Sequence, residues 1–306
     1  MGAMRGRFAP SPTGVLHLGN LRTALVAWMS VAAQNGEWLV RMEDLDPFTS
    51  SRVHEQQQLR DLAAMGLVPD GPLVRQSERF ELHRHAVAEL DGRGLVYQCF
   101  CTRREIREAS SAPHGDPMPD GAYPGTCRRL SAADRSRMSI DGRPAALRLR
   151  AHGERVAVAD RVAGVVEGMV DDVVLVRNDG VPAYNLAVVV DDHLQGVTEV
   201  VRGDDLLSST PRQVHLQQLL GYATPAYAHV PLVVGEDGQR LTKRHGAITM
   251  AELADRGVDA AGVLTMLGAS LGLCRVDEQV TAAELADRFS FDYLPRSAWI
   301  WSDTMV

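Results

Sequence analysis

The chain has 306 residues, of which 45% are hydrophobic and 23% are charged, a composition typical of a globular enzyme with one large or two modest domains. No apolar run approaches membrane length and the N-terminus lacks a signal-peptide pattern, so we expect a cytoplasmic protein that is not bound to a membrane. The net charge of −7 argues against a general nucleic-acid binder.

Residues 4–96 read as alternating strands and helices, which is the pattern of a parallel α/β sheet. Strand character runs over Glu37–Glu43, and helices are predicted over Ser51–Met65 and Glu78–Leu90. The sequence therefore predicts the first half of a doubly wound α/β domain.

Residues 97–170 have a different composition and predict an insertion outside that sheet. Glu108–Ala122 is rich in Ser, Pro, Gly and Asp and is predicted to be a loop, while Ala146–Leu149 and Val156–Val158 suggest short antiparallel strands. The α/β pattern resumes over residues 171–235, beginning with a strand at Asp171–Val176. Residues 236–306 are predicted to hold a basic loop followed by a mostly helical region.

The most informative segment is Arg7–Asn20, a strand end followed by two prolines, a glycine, and a histidine and glycine that open a helix. Proline fixes φ, and Gly14 and Gly19 remove side chains where the backbone must approach something closely. A glycine-bearing turn that leads into a helix N-terminus is suited to an anionic phosphate. The alternative is an ordinary strand–turn–helix corner.

The segment His17-Leu18-Gly19-Asn20 resembles the first signature of class I aminoacyl-tRNA synthetases, and the residues before it resemble the glutamyl branch. The resemblance implies a Rossmann-type catalytic domain in which His17, Gly19 and Asn20 bind ATP together with Mg²⁺. His17 and Gly19 would then belong to the catalytic machinery.

Residues 239–244 resemble the second class I signature. Lys243 is the only lysine of the chain, and a compact ammonium on a flexible stem differs chemically from arginine. The resemblance implies that Lys243 neutralises phosphate charge as pyrophosphate leaves, and that its neighbours help to bind ATP. These neighbours are Arg240, Leu241, Thr242 and Arg244. The alternative is an exposed basic loop.

The segments around Glu43 and residues 179–205 resemble the amino-acid pocket of glutamyl enzymes. The resemblance implies that Glu43 binds the α-ammonium of glutamate. It also implies that the pocket is lined by Arg7, Ser11, Tyr184 and Arg202. A guanidinium suits a γ-carboxylate because it donates hydrogen bonds and accepts none. Val188 and Leu206 depart from the family pattern of asparagine and tryptophan, so we expect fewer or looser contacts with glutamate.

Three cysteines, Cys99, Cys101 and Cys127, flank the predicted loop and could hold one metal ion or be unconnected thiols. They resemble the zinc site of a family of short glutamyl-synthetase paralogues, the glutamyl-queuosine tRNA(Asp) synthetases. That resemblance implies one structural Zn²⁺ with Tyr123 as the fourth ligand, although His114 or water could take this place. Cys274 is predicted to be a core thiol.

Two further groups of residues have uncertain roles in the sequence. Arginines concentrate on either side of the predicted loop and form either a nucleic-acid patch or a solvated, charge-rich surface. They are Arg103, Arg104, Arg107, Arg128, Arg129, Arg135 and Arg137. His83 and His85 are predicted to lie on a helix surface without a role.

The resemblance to these paralogues implies a monomer that activates glutamate with ATP and transfers it to queuosine in the anticodon of tRNA(Asp). The chain stops at Val306, where an anticodon-binding domain of a longer glutamyl enzyme would begin. Three alternatives remain open from the sequence. They are a minimal glutamyl-tRNA synthetase that charges tRNA 3′ ends, a nucleotidyltransferase with a similar phosphate turn, and an inactive tRNA-binding module.

Overall fold

The computed structural model describes residues 3–110, 122–241 and 248–305 of the chain. Its main sheet has seven strands in the spatial order β3-β2-β1-β9-β10-β6-β7, and all neighbours are parallel except the pair β6 and β7. In chain order these strands are β1 Arg5–Phe8, β2 Glu37–Met42, β3 Val74–Arg75, β6 Arg155–Asp160, β7 Gly164–Met169, β9 Glu199–Gly203 and β10 Ala226–Val230. The predicted α/β class with a parallel sheet is confirmed.

Two small sheets accompany the main one. An antiparallel sheet in the order β4-β5-β8 contains Val96–Cys99, Ala146–Leu149 and Val174–Val176. A two-stranded parallel sheet pairs β11, Val233–Val234, with β12, Trp299–Ile300. Residues from the end of the chain therefore return to the region that follows β10.

The helices cover both faces of the main sheet. They are α1 Leu18–Ala32, α2 Arg52–Ala64, α3 Phe80–Gly92, α4 Arg103–Ser110, α5 Ala132–Ile140, α6 Tyr184–Leu194, α7 Thr210–Leu219, α8 Met250–Asp255, α9 Ala260–Ser270 and α10 Ala282–Asp287. Two successive residues of β9 pack on opposite faces of the sheet. Val201 packs in the hydrophobic cluster that contains residues of α1 and α9, whereas Val200 packs in the cluster that contains residues of α6 and α7. Among the described residues, none of the helices has the length and apolar character needed to cross a membrane.

Local sequence explains several helix starts. Ser51 is the N-cap of α2 and accepts a hydrogen bond from the backbone N–H of Val53, in agreement with the helix predicted over Ser51–Met65. Thr249 and Glu252 form a reciprocal capping box at the start of α8, and Thr281 and Glu284 form another at the start of α10. The helical character predicted for the C-terminal region is confirmed.

The prediction that residues 97–170 lie outside the main sheet is wrong for β6 and β7, whereas β5 does lie in a separate sheet. β6, which contains Val156–Val158, pairs in parallel with β10 and in antiparallel fashion with β7, so it extends the main sheet. β8, which was expected to resume the parallel sheet, instead pairs antiparallel with β5. The contact between Asp160 and Tyr227 that joins β6 to β10 spans a long stretch of chain, and no local pattern encodes it. The first residues of the loop predicted at Glu108–Ala122 belong to α4, which continues to Ser110, and residues 111–121 lie outside the described residues.

Candidate active site and metal centre

The strand order of the main sheet changes direction between the adjacent strands β1 and β9. From β1 the chain continues to β2 on one side, and from β9 it continues to β10 on the other. Ligands of open α/β sheets bind at the carboxyl ends of the strands at such a point. A cavity of about 500 Å³ opens there. Its lining includes nine residues that the sequence predicts for ATP or glutamate: Arg7, Ser11, His17, Gly19, Asn20, Glu43, Tyr184, Arg202 and Arg240.

One other described residue predicted for ATP, Leu241, does not line this cavity. Leu241 is buried in the hydrophobic cluster beside α1, where it is 5% exposed. Thr242, Lys243 and Arg244 lie outside the described residues.

The turn between β1 and α1 brings a helix N-terminus to the cavity. His17 is the N-cap of α1: its Nδ1 accepts a hydrogen bond from the backbone N–H of Asn20, and the Asn20 side chain accepts one from the backbone N–H of His17. A Cβ at Gly19 would lie 3.2 Å from two atoms of the His17 ring. Glycine at this position therefore leaves room for the ring beside the first turn of the helix.

His17 is held as a neutral donor. Burial, aided by the positive charge of Arg240 and opposed by Asp205, lowers the pKa of His17 to about 4. Because Nδ1 accepts the N–H of Asn20, the proton of the neutral ring lies on Nε2. His17 can therefore donate a hydrogen bond to an anion beside the positive end of the α1 dipole.

A second part of the cavity carries a buried carboxylate. The Glu43 side chain is 10% exposed, and its Oε1 lies 3.5 Å from Nη2 of Arg41. Burial raises the pKa of Glu43, while Arg41 and Arg7 act in the opposite direction. Behind it, Asp192 accepts hydrogen bonds from Arg41 Nη1 at 2.7 Å and Arg7 Nε at 3.1 Å. The arrangement fixes one carboxylate where a ligand cation could meet it.

Arg202 lies at the end of β9 on the cavity wall and is 5% exposed. Its Nη1 is 3.4 Å from the hydroxyl of Tyr184, the first residue of α6. Leu206 also lines the cavity, whereas Val188 is buried in the core cluster of α6 and α7. Of the two departures from the family pattern, only Leu206 therefore lines this cavity.

Arg240, in the described part of the second signature, lines the cavity, and the residues that follow its undescribed part contact the first signature. Nη1 of Arg240 forms an ion pair of 2.5 Å with Asp205 Oδ2. After the residues that are not described, Ile248 accepts a hydrogen bond of 2.8 Å from the N–H of Leu18, and Thr249 pairs with His17 in an antiparallel bridge. The flanks of the second signature thus lie beside the first signature.

The three predicted metal-binding cysteines also come together. Sγ atoms of Cys99, Cys101 and Cys127 all lie within 4.8 Å of one another. The hydroxyl of Tyr123 lies 3.3 Å from Cys99 Sγ and 3.5 Å from Cys101 Sγ, and it accepts the backbone N–H of Cys127 at 2.8 Å. Three sulfurs and one oxygen at these separations could hold a metal ion. His114 lies outside the described residues.

The arginine-rich stretch is not a uniformly positive surface. Arg104 pairs with Glu108, Arg128 with Asp172, and Arg137 with Asp134. Two exposed arginines of this stretch, Arg104 and Arg137, therefore lie beside carboxylates, and Arg128 is paired with the buried Asp172.

Comparison with known proteins places this site in a family. The model described as "tRNA synthetases class I (E and Q), catalytic domain" matches residues 3–304. The glutamyl-Q tRNA(Asp) synthetase of Nocardia farcinica is 54% identical over 298 residues, which cover 97% of this chain and 93% of the relative. The chain belongs to the class I glutamyl-Q tRNA(Asp) synthetase family.

More distant relatives share the catalytic part of longer enzymes. The glutamate–tRNA ligase of Aquifex aeolicus is 39% identical, and the match covers 84% of this synthetase and 55% of the ligase. The crystal structure of glutamate-tRNA synthetase from Elizabethkingia anophelis superposes with a TM-score of 0.84 at 27% identity, covering 99% of this chain and 69% of that one. Membership of this family removes the nucleotidyltransferase alternative.

Sequence reasoning missed the charged residues beneath the cavity of this synthetase. Asp191 and Asp192 follow three valines on α6 and are both buried. Asp191 accepts hydrogen bonds from Arg79 Nε at 2.6 Å and Gln76 Nε2 at 2.9 Å. The sequence signal for these residues was a pair of carboxylates directly after an apolar run of the helix. Aspartates are rarely buried unless they have charged or hydrogen-bonding partners, so this pair indicates buried partners.

The prediction that His83 lies on a helix surface is wrong, whereas His85 is exposed as predicted. His83 is 0% exposed, and its Nε2 lies 3.1 Å from Asp191 Oδ2. Its burial depends on a carboxylate from α6, which approaches α3 only in the folded chain.

Proposed function

We propose that this protein activates L-glutamate with ATP to form glutamyl-adenylate and pyrophosphate, and then transfers glutamate to queuosine in the anticodon of tRNA(Asp). The observation that carries the proposal is its 54% identity to a glutamyl-Q tRNA(Asp) synthetase over nearly the whole of both chains. The cavity supports the first step, since one wall offers neutral and cationic donors for phosphate and the other offers a carboxylate and a guanidinium for an amino acid.

Glutamate is bound by charge complementarity at both ends. Glu43 pairs with the α-ammonium, and Arg202 binds the γ-carboxylate with help from the hydroxyl of Tyr184. Arg7 and Ser11 complete the contacts with the amino acid. A ligand ammonium would offset the cost of burying the Glu43 charge, because burial raises the pKa of this carboxyl.

ATP is bound at the N-terminus of α1. Nε2 of His17 donates to a phosphate oxygen, Gly19 lets the nucleotide approach the backbone, and Asn20 fixes the His17 ring. Arg240, Leu241, Thr242, Lys243 and Arg244 form the second signature, and Lys243 stabilises the charge on departing pyrophosphate. Mg²⁺ accompanies ATP and supplies charge neutralisation on its phosphates.

Catalysis rests on positioning and electrostatics, and no side chain is assigned as a general base. The α-carboxylate of glutamate attacks the α-phosphorus of ATP, and the resulting acyl group passes to a hydroxyl on the cyclopentene ring of queuosine. ATP and tRNA are found in the cytoplasm, so we propose that the enzyme acts there. We also propose that it is a monomer.

The cysteine cluster holds one structural Zn²⁺. Tetrahedral zinc with Zn–S bonds of about 2.3 Å places sulfurs about 3.8 Å apart. The observed Cys101–Cys127 Sγ separation of 3.5 Å is close to this value. Tyr123 is the proposed fourth ligand, and the guanidinium of Arg148 packs over its ring at 3.8 Å from the ring centre.

Purified protein should contain about one zinc ion per chain, and Cys101→Ser should lower this content strongly together with the melting temperature. Cys274→Ser is the matched control. The thiol of Cys274 lies outside the cysteine cluster and donates to the carbonyl of Thr265, so its loss should leave the zinc content unchanged. Metal analysis and thermal melts measure both effects. A folded, fully active enzyme without metal would contradict the proposal.

The reaction is tested by supplying labelled glutamate and ATP with tRNA from cells that make queuosine or from cells that cannot. Label should appear only on the pool that contains queuosine. Equal labelling of both pools would support the second candidate, a glutamyl-tRNA synthetase that charges 3′ ends. The match to the Aquifex aeolicus ligase motivates that candidate.

A further inference from the structure

Arg202 donates hydrogen bonds to two residues that do not line the cavity, His229 and Thr210. Its Nε donates to His229 Nε2 at 3.0 Å, and its Nη2 donates to Thr210 Oγ1 at 2.8 Å. His229 lies on β10, the neighbour of β9, and is 1% exposed, while Thr210 begins α7 and is 0% exposed. The described lining of the cavity includes Arg202 but neither of these two residues.

The contact with Arg202 fixes the tautomer of His229. A guanidinium has no acceptor, so Nε2 of His229 must be unprotonated to accept from it. The ring proton then lies on Nδ1, which is 2.6 Å from Asp160 Oδ2 and donates to it. Burial, the charge of Arg202 and that of Arg7 lower the pKa of His229 although Asp160 acts against them, which keeps the ring neutral.

Asp160 is itself rigidly oriented at the end of β6. Its Oδ1 accepts backbone N–H groups from Val162 at 2.9 Å, Ala163 at 2.8 Å and His229 at 3.2 Å. These bonds hold the carboxylate in its charged form and leave Oδ2 for the histidine ring. The chain of contacts therefore runs from a fixed backbone turn through Asp160 and His229 to the guanidinium at the cavity.

We propose that Asp160 and His229 are positioning residues that orient Arg202 for the γ-carboxylate of glutamate. This inference rests on the proposed function, in which Arg202 binds that group. His229 and Thr210 occupy the edge of the guanidinium formed by Nε and Nη2, so N–H groups at the Nη1/Nη2 end remain to meet a carboxylate in bidentate fashion. A guanidinium held this way is ready before the substrate arrives, and substrate binding loses less side-chain entropy.

Asp160→Asn tests the tautomer directly. An asparagine amide that donates to Nδ1 would move the ring proton to Nε2, where it would face the N–H of Arg202. We expect KM for glutamate to rise about 10- to 100-fold, since a hydrogen bond to a charged group is lost. KM for ATP and the exchange rate at saturating glutamate should change much less. Selectivity for glutamate over glutamine should fall.

Two substitutions of His229 separate orientation from simple packing. The amide of His229→Gln can reach the position of Nε2 and offer its oxygen to Arg202, whereas the shorter His229→Asn places its amide near Nδ1 and leaves Arg202 Nε without this acceptor. We expect His229→Asn to raise KM for glutamate as Asp160→Asn does, and His229→Gln to retain a value close to that of the wild type. His215→Gln, in another buried histidine on α7, is the control for loss of an imidazole.

Glutamate-dependent ATP–pyrophosphate exchange measures these constants, with a melting curve for each variant. Equal KM values for glutamate in Asp160→Asn, His229→Asn and the wild type would overturn the inference, as would equal defects in His229→Asn and His229→Gln at equal stability. Exchange does not depend on which tRNA accepts glutamate. If the wild-type enzyme exchanges normally but labels 3′ ends, the proposed function fails while this inference is still tested.

Discussion

Arg202→Gln is expected to raise KM for glutamate about 100-fold or more, because a buried carboxylate loses its charged partner. The substitution also removes the donor to His229, so the defect should exceed that of either positioning variant. KM for ATP should stay near its wild-type value, because the residues proposed to bind ATP lie around the turn between β1 and α1 and in the second signature, and not on β9. Glutamate-dependent ATP–pyrophosphate exchange over a range of glutamate concentrations measures the change.

The matched control is Arg177→Gln, which removes a half-exposed guanidinium that pairs with Asp179 outside the described cavity lining. This variant should keep wild-type constants. An unchanged KM for glutamate in Arg202→Gln would show that another group receives the γ-carboxylate.

Lys243→Ala is expected to lower the rate of adenylate formation about 100- to 1000-fold, the effect of removing one preorganised donor from a developing charge. Affinity for tRNA should be retained, because a single cation contributes only part of the phosphate contacts. The described residues on either side of Lys243 support this assignment: Arg240 lines the cavity, and Ile248 is bonded to the first turn of α1. Single-turnover adenylation and a tRNA binding assay separate the two effects.

Arg256→Ala provides the comparison, since its guanidinium pairs with Asp303 at the surface. It should leave adenylation unchanged. Wild-type adenylation by Lys243→Ala would remove this lysine from the catalytic machinery.

The parts of the site that the sequence predicted best are continuous in the chain. The turn from β1 to α1 carries its own cap, since His17 and Asn20 bond to each other within four residues. Two prolines fix φ in the same turn and two glycines let its backbone approach a neighbour closely, so the local chemistry specifies the shape of this turn with little help from the rest of the fold. The boundaries of β2 and α2 were predictable for the same reason.

The parts that were not predictable depend on distant partners. The place of β6 in the main sheet is decided by pairing with β10, and the burial of His83 is decided by Asp191 on another helix. The contacts that link Arg202 to His229 and His229 to Asp160 join β9, β10 and β6, and β6 lies within the residues predicted to form an insertion. Alternating hydrophobicity shows that a strand has one buried face but does not name its neighbour.

The most direct test of the central claim is the position of transferred glutamate on tRNA(Asp). The tRNA is purified from cells that make queuosine, its 3′-terminal adenosine is removed, and it is incubated with labelled glutamate, ATP and enzyme before nuclease digestion. The account predicts full labelling of the truncated tRNA, with the label on the anticodon-loop fragment that contains queuosine. Loss of labelling on truncation, with label confined to the 3′ end of intact tRNA, would contradict it.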